Sequence, residues 1–240
     1  MRSETTEILV VDDESSIRQV LQATFASIDF AVVCAGRGEE ALSLVRLKES
    51  PAVLLDINMP GMSGIETCRQ MRRIEPGLSI LMLTVCDCPD DKINALDAGP
   101  DDFITKPFHV GELGARLRAS VRHSAPSIGI SDSSIRVGEI ELHPQQRVVS
   151  KAGTLLQLTP REFDLLHYLM ANVGRPIRHA KLLTSIWGDN YGSELEYLRT
   201  FVCQIRKKLE DDASKPRYLL TEPYIGYRFS DLTCLTQQSA

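Results

Sequence analysis

The chain has 240 residues, of which 43% are hydrophobic and 25% are charged, and its formal net charge is −5. This length fits one large domain or two of ordinary size, and the composition is typical of a folded globular protein and excludes a disordered one. No apolar run reaches the ~18 residues that a membrane span requires, and two acidic residues precede the first apolar run, which argues against a secretory signal. We therefore expect a cytoplasmic protein without a membrane partner, and its six cysteines are expected to be reduced.

Charge is distributed unevenly between the two halves of the chain. Residues 1–123 contain 13 basic and 19 acidic residues, whereas residues 135–230 contain 14 basic and 11 acidic residues. A basic region attracts polyanions such as nucleic acids. The second half is therefore the part in which a polyanion-binding surface is expected.

The first half alternates short apolar runs with amphipathic stretches, an order that indicates repeated strand–helix units. Because the apolar runs are continuous, the strands are predicted to form a parallel sheet with helices on both faces. The predicted strands are 7–12, 31–35, 52–57, 78–84 and 102–105, and the predicted helices are 15–28, 39–47, 64–74, 91–99 and 110–123. Such doubly wound (βα)5 sheets bind ligands outside the carboxyl ends of their strands.

The second half has a different pattern. Residues 124–134 contain five serines with a proline and a glycine, a composition typical of a linker. Short predicted strands at 135–142, 147–153 and 155–159 then precede three helical segments and a final hairpin at 218–229. We therefore predict a first domain at 1–123, a linker at 124–134, a second domain at 135–231 and a tail at 232–240.

Polar side chains occupy the ends of the predicted strands in the first half. Asp12 and Asp13 follow the first strand, Asp56 lies near the end of the third, Thr84 ends the fourth and Lys106 follows the fifth. Neighbouring carboxylates repel one another unless a cation neutralises them, and hard oxygen donors without His or Cys suit Mg²⁺. An aspartate among them is a suitable nucleophile for forming an acyl phosphate, with the lysine and the threonine hydroxyl as phosphoryl ligands.

The motifs VVDDE, LLDINMPGMSG, LT and KPF occur in the order and spacing of the receiver domains of two-component response regulators, and residues 1–123 resemble that family. The resemblance implies a CheY/flavodoxin-like fold and a cis bond between Lys106 and Pro107. It implies that Asp56 is the phosphoacceptor and that a sensor histidine kinase is the partner. The remaining implied roles are Mg²⁺ binding by Asp13, Asp56 and the Asn58 carbonyl, with Asp12 acting through a water; phosphoryl contacts by Lys106 and Thr84; and a conformational switch at Thr84 and Phe103.

Opposite charges line the last predicted helix–strand–helix segment of the first half. Exposed ion pairs stabilise a chain by only ~0–1 kcal/mol each, so a solvated surface is one interpretation. The resemblance to OmpR/PhoB-type regulators implies instead a homodimer face that forms on activation, and a self-complementary patch suits twofold symmetry. The implied pairs across the dimer are Lys92 with Glu112, Asp102 with Arg116 and Asp97 with Arg118.

A predicted helix at 195–210 separates apolar from basic residues. Leu195, Leu198, Val202, Ile205 and Leu209 recur at helical spacing and are predicted to face the core. The opposite face carries Arg199, Thr200, Cys203, Arg206 and Lys207, which suits the major groove of double-stranded DNA but also an ordinary solvated surface.

The motifs LTPREF and GYRF, with the Trp187–Gly188 turn between them, resemble the winged helix-turn-helix domain of OmpR/PhoB-type regulators over nearly all of 135–230. The resemblance implies an α+β fold in which 195–210 is the recognition helix, the 188–194 loop contacts RNA polymerase or a neighbouring subunit, and Arg228 reaches the minor groove. Within this family the stretches DKINALDAG and YLRTFVCQIRKKLEDDASKPRYLL are similar to KdpE-type regulators. This likeness implies a KdpD-like kinase and a high-affinity potassium-uptake operon.

The sequence thus predicts a phosphoacceptor transcription factor rather than an enzyme. Three alternatives remain open: a regulator of a different operon, a phosphorylation-independent dimeric transcription factor, and an aspartyl-phosphate phosphohydrolase. The last usually has a second aspartate two residues after the nucleophile, where this chain has Asn58. Val85, where receivers usually have Ala or Gly after the threonine, leaves room for the second alternative.

Overall fold

The computed structural model describes residues 6–47, 52–84, 95–124, 134–188, 191 and 195–231. The chain divides into two compact units, 1–125 and 126–240. No helix within these described ranges is both long enough and apolar enough to cross a membrane.

The first unit contains a five-stranded parallel sheet with helices between its strands. Its strands are β1 (Thr6–Val11), β2 (Phe30–Ala35), β3 (Ala52–Asp56), β4 (Ser79–Thr84) and β5 (Asp102–Thr105), in the order β2-β1-β3-β4-β5. Its described helices are α1 (Ser15–Ala26), α2 (Gly38–Leu47), α3 (Gly64–Ile74) and α4 (Val110–Ser124). The predicted doubly wound α/β fold is confirmed.

Both faces of this sheet are buried, which explains the continuous apolar runs. Ile8 and Val10 of β1 belong to one core cluster, while Leu9 and Val11 belong to the other. Successive side chains of a strand point to opposite faces, so an apolar residue is needed at every position when helices cover both.

The junction between β3 and α3 is tightly packed. Ser63 caps α3 by accepting a hydrogen bond from the backbone N–H of Glu66. The backbone N–H of Gly64 donates to the Ile57 carbonyl at 3.0 Å, and a Cβ at Gly64 would lie only 2.0 Å from the Asp56 carbonyl oxygen. A glycine is required there because the first turn of α3 touches the end of β3, and this contact fixes the backbone at Asp56.

In its described residues, the second unit joins two small antiparallel sheets to three helices. One sheet contains β6 (Ile135–Val137), β7 (Ile140–His143), β8 (Val148–Lys151) and β9 (Thr154–Leu156) in sequential order. The other contains β10 (Ile177–Arg178), β12 (Gly226–Phe229) and β11 (Leu219–Glu222) in that order. The helices are α5 (Pro160–Met170), α6 (His179–Trp187) and α7 (Leu195–Leu209). This arrangement confirms the winged-helix class.

Two predictions about local structure in the second unit were wrong. Residues 135–142 do not form one strand, because Gly138, with φ of 60°, turns the chain between β6 and β7. Leu195 is 37% exposed at the start of α7 and does not face the core, while Phe201 is buried and packs 5.0 Å from the Trp187 ring. The other four residues of the predicted stripe are buried: Leu198, Val202, Ile205 and Leu209.

Candidate functional site

Three carboxylates come together where the strands of the parallel sheet end. Asp12 directly follows β1 and Asp56 ends β3, and these two strands are neighbours in the sheet. One carboxylate oxygen from each of Asp12, Asp13 and Asp56 lies within 4.8 Å of the others. Asp12 is completely buried and Asp56 almost so, whereas Asp13 is exposed. We call these three residues together with Lys106 the acid pocket.

Lys106 places its ammonium group between the two buried acids. Its Nζ atom lies 2.9 Å from Asp12 Oδ2 and 3.1 Å from Asp56 Oδ1. The Lys106–Pro107 bond is cis, as the resemblance implied, and the Lys106 N–H donates to the Thr84 carbonyl at 2.6 Å. The lysine is therefore held at the rim by β4 on one side and by the acids on the other.

The charges in the acid pocket change the proton affinity of two members. Burial raises the pKa of Asp56, Lys106 opposes this rise, and Asp12 and Asp13 add to it. Burial by itself lowers the pKa of Lys106, but its contacts with Asp12 and Asp56 outweigh burial and the pKa is raised. The lysine therefore stays charged, while Asp56 is ionised less readily than an ordinary aspartate.

The donor atoms of the acid pocket fit a small hard cation. Asp56 Oδ1 is buried, and the Lys106 ammonium lies 3.1 Å from it. Three carboxylates face one ammonium group, so negative charge remains to be neutralised. Asn58 lies two residues beyond Asp56, past the end of β3, and is exposed.

Thr84 and Phe103, the two predicted switch residues, lie on adjacent strands. Thr84 is buried at the end of β4, and Phe103 in β5 is half-buried and packs against one of the two core clusters of the sheet. In the sheet register Phe103 pairs with Met82, two residues before Thr84. The structure therefore brings Thr84 to the pocket rim beside Lys106, and the switch role of both residues stays a prediction.

Arg18 is a residue of this region that the sequence analysis missed. Its Nη1 atom donates to the carbonyls of Asp12, at 2.5 Å, and Asp13, at 2.9 Å. The Glu14 N–H donates to Asp12 Oδ1 at 2.9 Å. A basic residue at the end of the first turn of the helix that follows an acid pair is the sequence signal that could have indicated this contact.

The predicted dimer face has ion pairs inside a single chain. Arg116 lies 3.2 Å from Asp102, which is 2% exposed, and 2.7 Å from Glu112. Asp97 and Arg118 are exposed. Lys92, like Val85, lies outside the described residues. The predicted partners Asp102 and Arg116 therefore meet within one chain, and pairing across a dimer stays a prediction.

The outer face of α7 is only partly available to a ligand. Arg199, Cys203 and Lys207 are exposed, as predicted. The Thr200 hydroxyl donates to the Glu196 carbonyl at 3.0 Å, and the Arg199 guanidinium pairs with the Glu196 carboxylate. Arg199 and Lys207 are thus the exposed cations among the predicted DNA-binding residues of this helix.

Arg206 does not point away from the protein. Its Nε and Nη2 atoms donate to the Leu219 carbonyl at 2.9 and 2.7 Å, and Nη2 also donates to Thr221 Oγ1 at 2.9 Å. Arg228 on β12 pairs with Glu222 of β11 at 2.6 Å. The fold itself thus uses two of the basic side chains that the sequence assigned to DNA.

The turn between β11 and β12 presents a side chain that the sequence analysis did not select. Tyr224 is fully exposed with φ of 65°, and Ile225 beside it is 44% exposed. An aromatic residue one position after a proline, in the turn of a terminal hairpin, is the signal that could have pointed to it. Of the 188–194 loop, which was predicted to contact a partner, only Gly188 and Tyr191 are described, and Tyr191 is buried against Trp187.

Comparisons with known proteins match both units. Residues 8–118 match the family described as response regulator receiver domain, and residues 153–229 match the family described as transcriptional regulatory protein, C terminal. A mutant of the protein RitR is 21% identical, with a TM-score of 0.76 over 93% of this chain and 98% of that chain, a likeness in fold. The response regulator DrrB, an OmpR/PhoB homolog from Thermotoga maritima, is 28% identical, with a TM-score of 0.50 over the same shares of the two chains.

Proposed function

Because the chain belongs to the two-component response regulators of OmpR/PhoB type, we propose that phosphorylation of Asp56 by a sensor histidine kinase promotes dimerisation and sequence-specific DNA binding. The observation that carries this proposal is the position of Lys106 Nζ, within 3.1 Å of both buried acids. A cation there can contact the oxygens of a phosphoryl group attached to Asp56. Such a chain is a transcription factor rather than a classical enzyme.

The proposed chemistry is a transfer from a phosphohistidine of the kinase. The bond between phosphorus and the histidine nitrogen breaks, and a bond forms between phosphorus and a carboxylate oxygen of Asp56. Asp13, Asp56 and the Asn58 carbonyl would hold Mg²⁺, with Asp12 acting through a water. Bound Mg²⁺ supplies positive charge that neutralises the acids and stabilises the transferring phosphoryl oxygens.

The added phosphoryl group gives Asp56 a charge of about −1.5 to −2. Lys106 and the Thr84 hydroxyl are the proposed ligands of its oxygens, and Phe103 is proposed to turn inward as Thr84 moves. The change favours one of two pre-existing conformations of the β4–β5 side of the sheet. Phosphorylation then controls DNA binding through the surface that this side presents.

That surface is the proposed homodimer face, with Lys92 pairing Glu112, Asp102 pairing Arg116 and Asp97 pairing Arg118 across the twofold axis. In a single chain Arg116 already contacts Asp102 and Glu112, so dimerisation would exchange partners rather than add isolated charges. Two linked DNA-binding domains then bind neighbouring half-sites at a high effective concentration.

The proposed domain division assigns the receiver to 1–123, the linker to 124–134, the DNA-binding domain to 135–231 and a tail to 232–240. Within the DNA-binding domain, α7 is the proposed recognition helix, with Arg199, Thr200, Cys203 and Lys207 on its outer face. The β11–β12 hairpin, including Arg228, is the proposed wing at the minor groove, and the 188–194 loop is the proposed contact to RNA polymerase. The likeness to KdpE-type regulators supports a KdpD-like kinase and a potassium-uptake operon as the finer proposal.

The acid pocket can be tested by labelling the full chain with radioactive acetyl phosphate in the presence of Mg²⁺. The Asp56→Asn variant should take up no label, because the amide nitrogen cannot form the acyl phosphate. Asp29→Asn is the matched control, since Asp29 is an exposed acid of the same unit, and it should label like the wild type. Full labelling of Asp56→Asn would refute the site.

Beryllofluoride separates the phosphorylation-dependent function from a phosphorylation-independent one. In the proposed function, beryllofluoride with Mg²⁺ raises the DNA affinity of the wild-type chain and leaves that of Asp56→Asn unchanged. Equal affinity of the wild type with and without beryllofluoride would instead support a receiver that serves only as a dimerisation module.

A further inference from the structure

Two charged side chains at the C-terminal end of α7 bind backbone groups at the start of the β11–β12 hairpin. Arg206 lies within the last turns of α7, and Glu210 directly follows the last helical residue. They are four residues apart, so their side chains lie on the same face of the helix. We call Arg206 and Glu210, with the backbone of residues 217–219, the hairpin clamp.

The Glu210 carboxylate accepts three backbone hydrogen bonds at the start of the hairpin. The N–H groups of Tyr218 and Leu219 both donate to Oε1 at 2.9 Å, and the N–H of Arg217 donates to Oε2 at 2.8 Å. Hydrogen bonds from N–H groups to a carboxylate are about twice as strong as those between neutral groups. Glu210 therefore fixes the point at which the chain enters β11.

Arg206 binds the backbone carbonyl of Leu219, one of the residues whose N–H groups Glu210 binds. Because Arg206 takes the Leu219 carbonyl and Glu210 takes the Leu219 N–H, both polar backbone groups of Leu219 are bound by side chains from α7 and its end. The Arg206 guanidinium carbon also lies 5.9 Å from the centre of the Tyr227 ring on β12. The clamp thus contacts both strands of the hairpin.

From this geometry we propose that Arg206 and Glu210 are positioning residues that set the orientation of the β11–β12 hairpin relative to α7. Arg206 then contributes to DNA binding through the hairpin rather than by contacting bases or phosphates. The inference rests on the proposed function, in which α7 and the hairpin enter adjacent grooves of one DNA duplex. Two elements must keep a fixed mutual orientation to contact both grooves at once, and loss of that orientation costs binding free energy.

Arg206→Lys separates positioning from direct contact. A lysine keeps the positive charge and can still contact a phosphate, but it lacks the planar guanidinium whose Nε and Nη2 both reach the Leu219 carbonyl. We expect Arg206→Lys and Arg206→Ala to lose DNA affinity to the same extent, roughly tenfold, on a duplex selected from a randomised pool by the wild-type chain. The slope of log affinity against log salt should stay that of the wild type.

Lys207→Ala is the matched control at the neighbouring position, since Lys207 is exposed on the outer face of the proposed recognition helix, where its charge can contact phosphate. It should weaken binding and lower the salt slope by about one. An Arg206→Lys variant that binds like the wild type, or an Arg206→Ala variant whose salt slope falls by the same amount, would overturn the positioning role.

Glu210→Gln provides a second test, because the loss of a negative charge and the loss of the hairpin contact predict opposite changes in DNA affinity. Removing a negative charge near DNA should by itself raise affinity, whereas loosening the hairpin lowers it. We expect lower affinity for Glu210→Gln. For Asp211→Asn we expect unchanged or slightly higher affinity, because Asp211 is the exposed acid next to it and pairs with the Lys151 side chain rather than with the hairpin backbone. A rise in affinity for Glu210→Gln would contradict the clamp.

A double-mutant cycle tests whether Arg206 acts through the hairpin. In a chain that already carries Arg228→Ala, the further change Arg206→Ala should have little additional effect, because the hairpin contact is already impaired. Fully additive losses would show that Arg206 contacts DNA independently, and the inference would fail.

The clamp can also be measured without DNA, which keeps its failure distinct from failure of the proposed function. A wild-type chain that selects no duplex from the pool would refute the DNA-binding function. Without DNA, the Glu210→Gln and Arg206→Ala variants should each show faster hydrogen exchange than the wild type at the amides of Tyr218 and Leu219, with exchange in α5 unchanged. Unchanged exchange at these two amides would overturn the clamp itself.

Discussion

The acid pocket and the surface of α7 both concentrate charged side chains, but they hold those charges in different ways. In the pocket Asp12 and Asp56 are buried, and both contact Lys106, whose side chain is 14% exposed. At the end of α7, Arg206 and Glu210 are partly exposed and bind backbone groups of the hairpin.

This difference determines how each region can respond to a signal. Charges that are removed from water interact strongly, so one added phosphoryl group can change the balance of the pocket. Partly exposed charges are screened by water and salt, and those that bind backbone groups mainly preserve a shape. The first region is therefore suited to switching, and the second is suited to presenting a fixed surface.

The largest expected effect tests whether the pocket charges depend on one another. Lys106→Met removes the cation that Asp12 and Asp56 share, and breaking a buried pair leaves an uncompensated charge. We expect the free energy of unfolding of the first unit to fall by about 3 kcal/mol in the absence of divalent cations. Arg69→Met is the control, because Arg69 lies 3.7 Å from Glu66 with both side chains nearly half exposed, and it should change stability by less than about 1 kcal/mol.

The measurement must distinguish the two units. The single tryptophan and all six tyrosines lie between residues 168 and 227, so fluorescence reports only on the second unit. Hydrogen exchange of the amides in β1 and β3 reports on the first unit. Equal stability of Lys106→Met and Arg69→Met chains would remove the distinction between buried and exposed charge.

A second prediction compares two glycines at which one backbone segment touches another. A Cβ at Gly64 would lie 2.0 Å from the Asp56 carbonyl oxygen, and a Cβ at Gly226 would lie 1.9 Å from the Ile177 carbonyl oxygen. Alanine at either position should destabilise its own unit by about 2 kcal/mol, because backbone atoms must shift. Gly64→Ala should also impair beryllofluoride binding, and Gly226→Ala should impair DNA binding.

Gly111→Ala is the control for this pair. Nothing lies within 4 Å of a Cβ at Gly111, which is in the first turn of α4. Alanine there should leave the first unit unchanged or stabilise it by up to about 1 kcal/mol, since glycine disfavours helix. If Gly64→Ala lost DNA binding even when its acid pocket was saturated with beryllofluoride, the expectation that Gly64 affects DNA binding only through the acid pocket would be wrong.

The smallest expected effect concerns protons at the acid pocket. Burial raises the pKa of Asp56 above its ordinary value of 3.8, although Lys106 opposes the rise. Between pH 3.8 and the folded pKa, Asp56 therefore keeps a proton in the folded chain that it has released in the unfolded chain. The contribution of Asp56 to the free energy of unfolding is greatest below pH 3.8 and is lost as the pH rises through the folded pKa. The free energy of unfolding of the wild type, minus that of Asp56→Asn, should fall over this range without divalent cations. A difference that rises with pH instead would show that Lys106 dominates.

Much of this organisation could be predicted from the residues in order. The continuous apolar runs of β1, β3 and β4 indicated a parallel sheet covered on both faces, because such burial demands an apolar side chain at every position. The strand ends then indicated where Asp12, Asp56 and Lys106 meet, since parallel strands end at one rim. Helix α7 was predicted almost to the residue, because its apolar spacing extends over four turns.

What the sequence did not determine is which partner each long polar side chain selects. Arg206 has the spacing of a solvent-facing DNA contact, yet it binds Leu219, which is 13 residues away in the chain. Arg116 and Asp102 were predicted to meet across two chains, and they contact each other within one. Arg18 was not predicted to contact the backbone carbonyls of Asp12 and Asp13.

The physical reason is that the burial pattern is set by residues close together in the sequence, whereas the partner of a long side chain is set by residues that come close only in the folded chain. Burial repeats with the period of a strand or helix, so a short stretch of sequence determines which face is apolar and where a strand ends. A guanidinium or carboxylate on a flexible side chain reaches several ångströms in many directions, and its partner depends on which backbone groups the packed fold brings near. The sequence alone therefore determined the parallel sheet, the acid pocket and the basic helix, whereas only the tertiary structure decided that the end of that helix holds the hairpin.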